Sequence, residues 1–247
     1  MRIVSLVPSW TEYLVDLGLK HQIVGRTKFC IRPHEKVRAI EVIGGTKNIH
    51  IEKIERLKPD LIIANIEEND KQQVEACQRF AEILLTDVRS VESALRECER
   101  IAEAVGRAEK GKYWIQKIRQ AWGRALPKHA KGFYVVWKHP LMVAGGDTYI
   151  HDVMRWWGIT NSGDQWHSGR YPQPSPEEWE LGETHWVLLP SEPFPFQKKH
   201  LADFEKKNRK PLLVDGEAFS WYGSRMLESA TYLAELVERM QKEVEEN

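Results

Sequence analysis

The stretch AEKGKYWIQKIRQAWGRAL, Ala108 to Leu126, decides how the rest of the chain is read. Trp114, Ile118, Trp122 and Leu126 recur every four residues, Ile115 and Ala125 widen the stripe, and Lys and Arg take the opposite face. That is the pattern of an amphipathic helix. No proline interrupts it, and Pro127 follows at once as a stop. A second helical run precedes it. Its apolar face is Val91, Ala94, Leu95, Cys98, Ile101, Ala102 and Val105, and Gly106 stands where a helix terminator belongs. Around this pair, short β-rich apolar runs alternate with helical patterns, first in residues 1–90 and again in 132–247. Two architectures fit the periodicity equally. The central helix is a strut between two α/β lobes, or it is a crossover helix within one larger sheet.

Working outward toward the N-terminus, Arg2–Val7 is nearly continuous in β-branched and apolar residues, as buried parallel strands are. Pro8 ends it, and Ser9 with Glu12 fits a capping box opening a helix that Gly18 stops. A short strand is expected at Ile23–Gly25, a long exposed loop at Thr27–Lys47, and a short helix at Ile51–Leu57. A strand at Leu61–Ala64 ends in the polar tip NIEEN, Asn65–Asn69. A helix over Lys71–Ala81 and a strand at Ile83–Leu85 follow. Strands alternating with helices imply a parallel sheet with right-handed crossovers.

The second half repeats this grammar. Strands are expected at Gly132–Trp137, Leu141–Ala144, Trp186–Leu189 and Leu212–Val214. The turn Gly145-Gly146-Asp147-Thr148 opens a helix that Gly158 caps, Asn161–Gln173 is a loop, and Ser175-Pro176-Glu177-Glu178 starts another helix. SEPFPF is the tip of the strand at Trp186. The final helix runs over Ser224–Glu246, with Leu227, Ala230, Leu233, Ala234, Val237, Met240 and Val244 on one face. Each half thus has a strand, a tight turn and a helix, and then a strand with a polar tip. Ligands of parallel sheets bind outside such C-terminal strand ends.

Composition narrows the function classes. With 36 basic and 36 acidic residues the formal charge is zero, which argues against a nucleic-acid binder. No window approaches the ~18 apolar residues of a membrane span. The three cysteines, Cys30, Cys77 and Cys98, form no CxxC or zinc spacing; Cys77 and Cys98 read as small core residues. The chain enters a strand at residue 2 with no signal-peptide pattern. A native start at Met1 therefore predicts a cytoplasmic protein, and a trimmed start an extracytoplasmic one.

Ten tryptophans are the compositional oddity. Trp114, Trp122, Trp156 and Trp186 fit apolar stripes or strands. Trp10, Trp166 and Trp221 fall in loops or helix starts, where a large planar ligand could use them. Aromatic and basic groups cluster twice: Phe219, Trp221, Tyr222 and Arg225, and again Trp166, Arg170 and Tyr171. Such clusters suit a bulky ligand with carboxylate or amide edges. No GxxxxGK[ST], GxGxxG, HExxH or GxSxG is present. The GGDT turn is better explained by capping through Asp147 or Thr148 than by anion binding. An enzyme acting on a metal or tetrapyrrole, chelatase-like, would draw on His34, Cys30 or His151, and a regulatory module would use its acidic tips.

These stretches carry a resemblance. RIVSLVPSWTEYLVDLG, IEKIERLKPDLIIA, GGDTYIHDVMRWWG, RYPQPSPEEW and SWYGSR with the helix after it resemble the helical-backbone substrate-binding proteins of ABC importers for vitamin B12, iron-siderophores and haem, most closely the cobalamin-binding branch. The resemblance spans nearly the whole chain. It implies an α/β fold of two lobes with mainly parallel sheets joined by one long backbone helix, as in class III periplasmic binding proteins. The expected bounds are 1–106, 107–127 for the helix, and 128–247. It implies a cobalamin-like or metal-chelate ligand held between the lobes, no cofactor of the protein's own and no catalysis; the mostly polar helix exteriors make a monomer the default. By position, the ligand-facing candidates are Pro8, Ser9, Trp10, Phe29, Cys30 and Asn65 in the first half. Gly146, Asp147, Tyr171, Trp221 and Tyr222 are their counterparts in the second, joined by Trp166, Arg170 and Arg225 from the clusters. Asn65 stands near an aromatic position of the cobalamin binders. Docking on an ABC permease would use an acid on each lobe: Glu67, Glu68 or Asp70 on the first, Glu192 or Glu228 on the second.

Overall fold

The computed structural model describes the whole chain except Ser168, Glu183, Lys207, Glu246 and Asn247, with backbone alone for Val244 and Glu245. Val244 and Glu246, expected on the last helix, lie outside the described side chains. Contacts divide the chain into two compact units. The first comprises Met1–Val88, Glu92–Arg119 and Trp221–Met226; the second comprises Arg89–Val91, Gln120–Ser220 and Leu227–Asn247.

The first unit contains β1 (Ile3–Ser5), α1 (Pro8–Asp16), β2 (Ile23–Arg26), α2 (His34–Val37), α3 (Ile51–Arg56), β3 (Leu61–Asn65), α4 (Lys71–Cys77) and β4 (Glu82–Thr86). The chain then enters α5 (Val91–Ala104) and α6 (Ala108–Trp122). The sheet order is β2-β1-β3-β4, every pair parallel. Every residue of β1 and β3 is buried, which is why both read as unbroken apolar runs rather than alternating ones. Val4, Leu6, Ile62 and Ala64 meet Ile43, Ile54 and Val74 in one core cluster.

The second unit contains β5 (Ala130–Trp137), β6 (Met142–Val143), α7 (Tyr149–Trp156), β7 (Ile159–Asn161), α8 (Pro176–Leu181), β8 (Trp186–Pro190), β9 (Lys210–Val214), α9 (Gly216–Ser220) and α10 (Arg225–Glu245). Strand β5 pairs in parallel with β7 and β8, and β8 in parallel with β9; β6 is antiparallel, folded back on β5 as a hairpin. The parallel strands therefore run β7-β5-β8-β9, the same pattern of chain order as β2-β1-β3-β4. The repeat read from strand-turn-helix grammar is a repeat of sheet topology. The fold is α/β, with two mainly parallel sheets.

Several local expectations are corrected. Helix α6 ends at Trp122 instead of reaching Leu126, because Gly123 takes φ +56° and turns the chain out of the helix. The 15 residues that remain span about 22 Å. Ser9 is not the N-cap of α1. Pro8 occupies the first turn with Val7 before it, no side chain caps the end, and Glu12 is held elsewhere. The loop Thr27–Lys47 is not wholly exposed: it carries α2, pairs Arg26 with Val42, and buries Cys30, Val37 and Ile43. Strand β7 lies where a loop was expected to begin. The Ser175 capping box forms as read, with both reciprocal hydrogen bonds in place.

Candidate functional site

In the first unit the chain leaves β1 toward one edge of the sheet and β3 toward the other. Such a switch point opens a crevice outside the carboxyl ends of the two strands. The residues at those ends are Leu6–Trp10 and Ile66–Asn69, and side-chain hydrogen bonds lock them together. The Asn69 amide donates to the Leu6 carbonyl at 3.2 Å and to that of Thr46 at 3.1 Å. Asn65 shapes the NIEEN tip: its Oδ1 accepts from the backbone N–H of Glu67 at 2.8 Å, and its Nδ2 donates to the Thr86 hydroxyl at 3.2 Å. The same hydroxyl accepts from the Trp10 indole at 3.0 Å and donates to the Ala64 carbonyl at 2.8 Å. A buried hydroxyl with its hydrogen-bonding capacity used this fully is a rigid fixture.

The segment Trp221–Met226 packs onto this fixture. Tyr222 lies 4.5 Å from Trp10 by ring centroids, and its hydroxyl donates to Glu68 Oε1 at 2.7 Å. Burial, and then the neighbouring Glu68 carboxylate, push the Tyr222 pKa well above its ordinary value. Gly223 makes the turn at φ +80°, and a Cβ there would lie 3.1 Å from Tyr13 Cβ. Arg225 forms an ion pair with Glu12, its Nε donating to Oε2 at 2.9 Å.

Of the candidates in this unit, Pro8, Ser9, Trp10, Cys30, Asn65, Trp221 and Tyr222 are buried, Arg225 is mostly covered, and Phe29 is half-exposed. They are brought together as the floor beneath the strand ends. The exposed apolar side chains next to these residues in the chain are Phe29 at 49% and Ile31 at 47%, either side of Cys30, and Ile66 at 50%, after Asn65. Sequence reading missed Ile31 and Ile66. The rule that singled out NIEEN as a tip also covers Ile66; the polar composition of the tip hid it.

In the second unit, Gly146 is required by Asp164: a Cβ would lie 1.8 Å from the Asp164 carboxylate. Thr148 caps α7, accepting from the His151 N–H at 3.1 Å. Asp147 pairs with Arg89 at 2.9 Å, and its carbonyl accepts from Arg170 Nε at 2.7 Å. With Asp164 already beside it, GGDT is a capped turn rather than a seat for an anion. Trp166 stacks on Phe133 at 5.0 Å and 14°, as part of a core cluster with Trp179, and Tyr171 is half-buried. Glu192, just beyond β8, accepts from the Ser220 hydroxyl at 3.2 Å.

This sheet has its own switch point, between β5 and β8. Trp137 is the last residue of β5 and is 40% exposed; Phe194, in the tip beyond β8, meets it edge-on at 5.4 Å. Sequence reading assigned Trp137 no role, because it closes an apolar run that looks like pure core.

In the first unit the two residues of the enzyme reading, Cys30 and His34, have different partners. Cys30 is fully buried against Thr27 and Ser5, while the exposed His34 side chain pairs with Glu35 at 3.1 Å. His151 packs against Asn161. Among the described residues, no three His, Cys, Asp or Glu are placed to hold a metal ion, and no helix is long and apolar enough to cross a membrane.

All three cysteines are buried, and burial raises each thiol pKa. Raised, inaccessible thiols react poorly. Native protein at pH 8 is expected to react only slowly with a chromogenic disulfide, and all three thiols are expected to appear in denaturant. Rapid titration of a native thiol would show that one of these sites opens.

Residues 3–192 match the model of the family described as periplasmic binding protein. A vitamin B12-binding protein of Vibrio vulnificus is 27% identical over 185 residues, covering 72% of this chain and 66% of its own length. The curated relatives are longer than the match, which spans 58% of another, from Photorhabdus laumondii. A periplasmic heme-binding protein from Roseiflexus superposes with a TM-score of 0.81 at 18% identity, covering 98% of both chains. The periplasmic vitamin B12-binding protein of Vibrio cholerae superposes with a TM-score of 0.77 at 19% identity, also covering 98% of both. At those identities the superpositions establish the fold. The family match over most of the chain, on a scaffold with a switch point in each sheet, establishes that this chain belongs to the periplasmic binding protein family.

Proposed function

We propose that this chain is a solute-binding protein for a large metal-chelate ring of the cobalamin or haem type, and that it delivers the ligand to an ABC importer outside the cytoplasm. The observation that carries this reading is the exposed apolar surface at both switch points. Phe29 and Ile31 flank the buried Cys30 and Ile66 directly follows β3 in the first unit, and Trp137 ends β5 in the second, all four with exposed apolar side chains. Exposed apolar side chains on a pre-ordered support suit a bulky ring, because little conformational entropy is left to lose on binding. The vitamin B12- and heme-binding relatives support the same ligand class. The protein supplies binding and shape and no chemistry of its own, and it works as a monomer. Glu67, Glu68 and Glu192 are its proposed contacts with the permease; Glu68 is held in place by the Tyr222 hydroxyl.

Thermal unfolding with and without cyanocobalamin, dicyanocobinamide, haemin and a ferric siderophore tests the reading. A ligand at a hundred times its dissociation constant adds about 2.7 kcal/mol of stability. A raised midpoint with one member of the panel is expected. A midpoint unmoved by all of them would remove the metal-chelate reading and leave the fold intact.

A further inference from the structure

We propose that Trp137 and Phe194, with the lysines and histidines around them, form an aromatic seat with a basic rim that takes the face of a planar ring bearing carboxylates. The inference rests on the solute-binding reading and narrows its ligand to an anionic ring.

The seat lies at the β5/β8 switch point, where Trp137 ends one strand and Phe194 sits in the tip of the other. Phe194 packs on the buried core cluster that holds Phe133 and Val135, and beyond an irregularity in β5 between Val135 and Trp137 the Trp137 side chain is 40% exposed. An aromatic core layer therefore emerges into solvent at this point. The indole cannot swing freely. Its N–H donates to the His139 carbonyl at 3.0 Å, and Phe194 packs edge-on against its ring. Phe194 is itself backed by Phe196 at 4.6 Å and His200 at 5.5 Å. With the N–H satisfied internally, the exposed ring has no polar need of its own and offers a face for stacking.

The rim supplies the charge preference. Lys138 and His139 follow Trp137, and Lys198, Lys199 and His200 follow the Phe194–Phe196 tip. His200 packs against Phe194 and belongs to the short helical turn Lys198–Asp203, whose Asp203 is paired with Lys138, so these groups share one neighbourhood. Two acids stand among these residues: Asp203, which pairs with Lys138 at 2.7 Å, and Glu192 at the base of the Phe194 tip, which accepts from the Ser220 hydroxyl at 3.2 Å, against three lysines. The balance is basic, which favours ring carboxylates over the uncharged amides of a corrinoid.

The test is titration of the full chain with haemin, haemin dimethyl ester and cyanocobalamin in one buffer. Haemin should bind at least about tenfold more tightly than its ester. Trp137→Ala should weaken haemin at least about tenfold, Trp137→Phe should stay within about threefold, and a Lys138→Gln/Lys199→Gln double variant should narrow the gap between haemin and ester. Equal binding of haemin and ester, or an unchanged affinity in Trp137→Ala, overturns the seat while the solute-binding reading stands. Binding of cyanocobalamin without haemin does the same. Failure of the wild-type chain to bind any probe overturns both.

Discussion

Replacing Arg225 with alanine is expected to lower the unfolding free energy by about 3–5 kcal/mol, the range for removing one partner of a buried ion pair. Arg225 and Glu12 side chains are 13% and 8% exposed, and the guanidinium lies over the Trp221 ring at 6.0 Å. Without Arg225, the Glu12 carboxylate is left in a dry site with its largest partner gone. Glu12→Ala should be comparably costly for the mirror-image reason. The double variant Glu12→Leu/Arg225→Met removes both charges and keeps the volume, so it should be less destabilised than either single variant. Urea unfolding of wild type, Glu12→Leu, Arg225→Met and the double variant completes the cycle. Single losses under about 1 kcal/mol, or a double loss equal to the sum of the singles, would show that solvent reaches the pair and that it does not hold Trp221–Met226 on the first unit.

Gly111→Ala is expected to destabilise although it improves helix propensity. Alanine in a helix interior gains about 1 kcal/mol over glycine. Here an added Cβ would sit 2.3 Å from Ala102 Cβ, between α6 and α5, and 3.3 Å from the Tyr13 hydroxyl. Two helix backbones would have to separate, an overpacking cost of about 3 kcal/mol. The net loss is about 2 kcal/mol, and Ala102→Gly added to Gly111→Ala should recover most of it. A Gly111→Ala protein more stable than wild type would mean that the two helices are not in close contact.

The sequence made the architecture legible because buried strands and amphipathic helices leave periodic patterns. Arg2–Val7, Leu61–Ala64 and Trp186–Leu189 read as parallel strands from apolar continuity alone, and the repeat of strand, turn and helix anticipated the shared sheet topology. The missed elements are those set by distant contacts. Glu12 looked like a capping-box acid because Arg225, its partner, lies 213 residues away. Strand β7 has only three residues, too few for a period to show. The site was legible as a set of loops but not as a surface. Trp10, Trp221 and Tyr222 sit in the expected segments, yet their rings are inside, because Thr86 and Glu68 supply hydrogen-bond partners that no local pattern reveals. Phe29 was read and is exposed. Trp137 was passed over since an aromatic at the end of an apolar run looks the same whether the next layer covers it or not.

The most direct test of the solute-binding account is isothermal titration of the purified chain with haemin and with cyanocobalamin at several temperatures. The account predicts saturable binding of one of them with a negative heat-capacity change, the mark of apolar surface leaving water. Heats of dilution alone for both ligands, at protein concentrations that reveal micromolar binding, would contradict it.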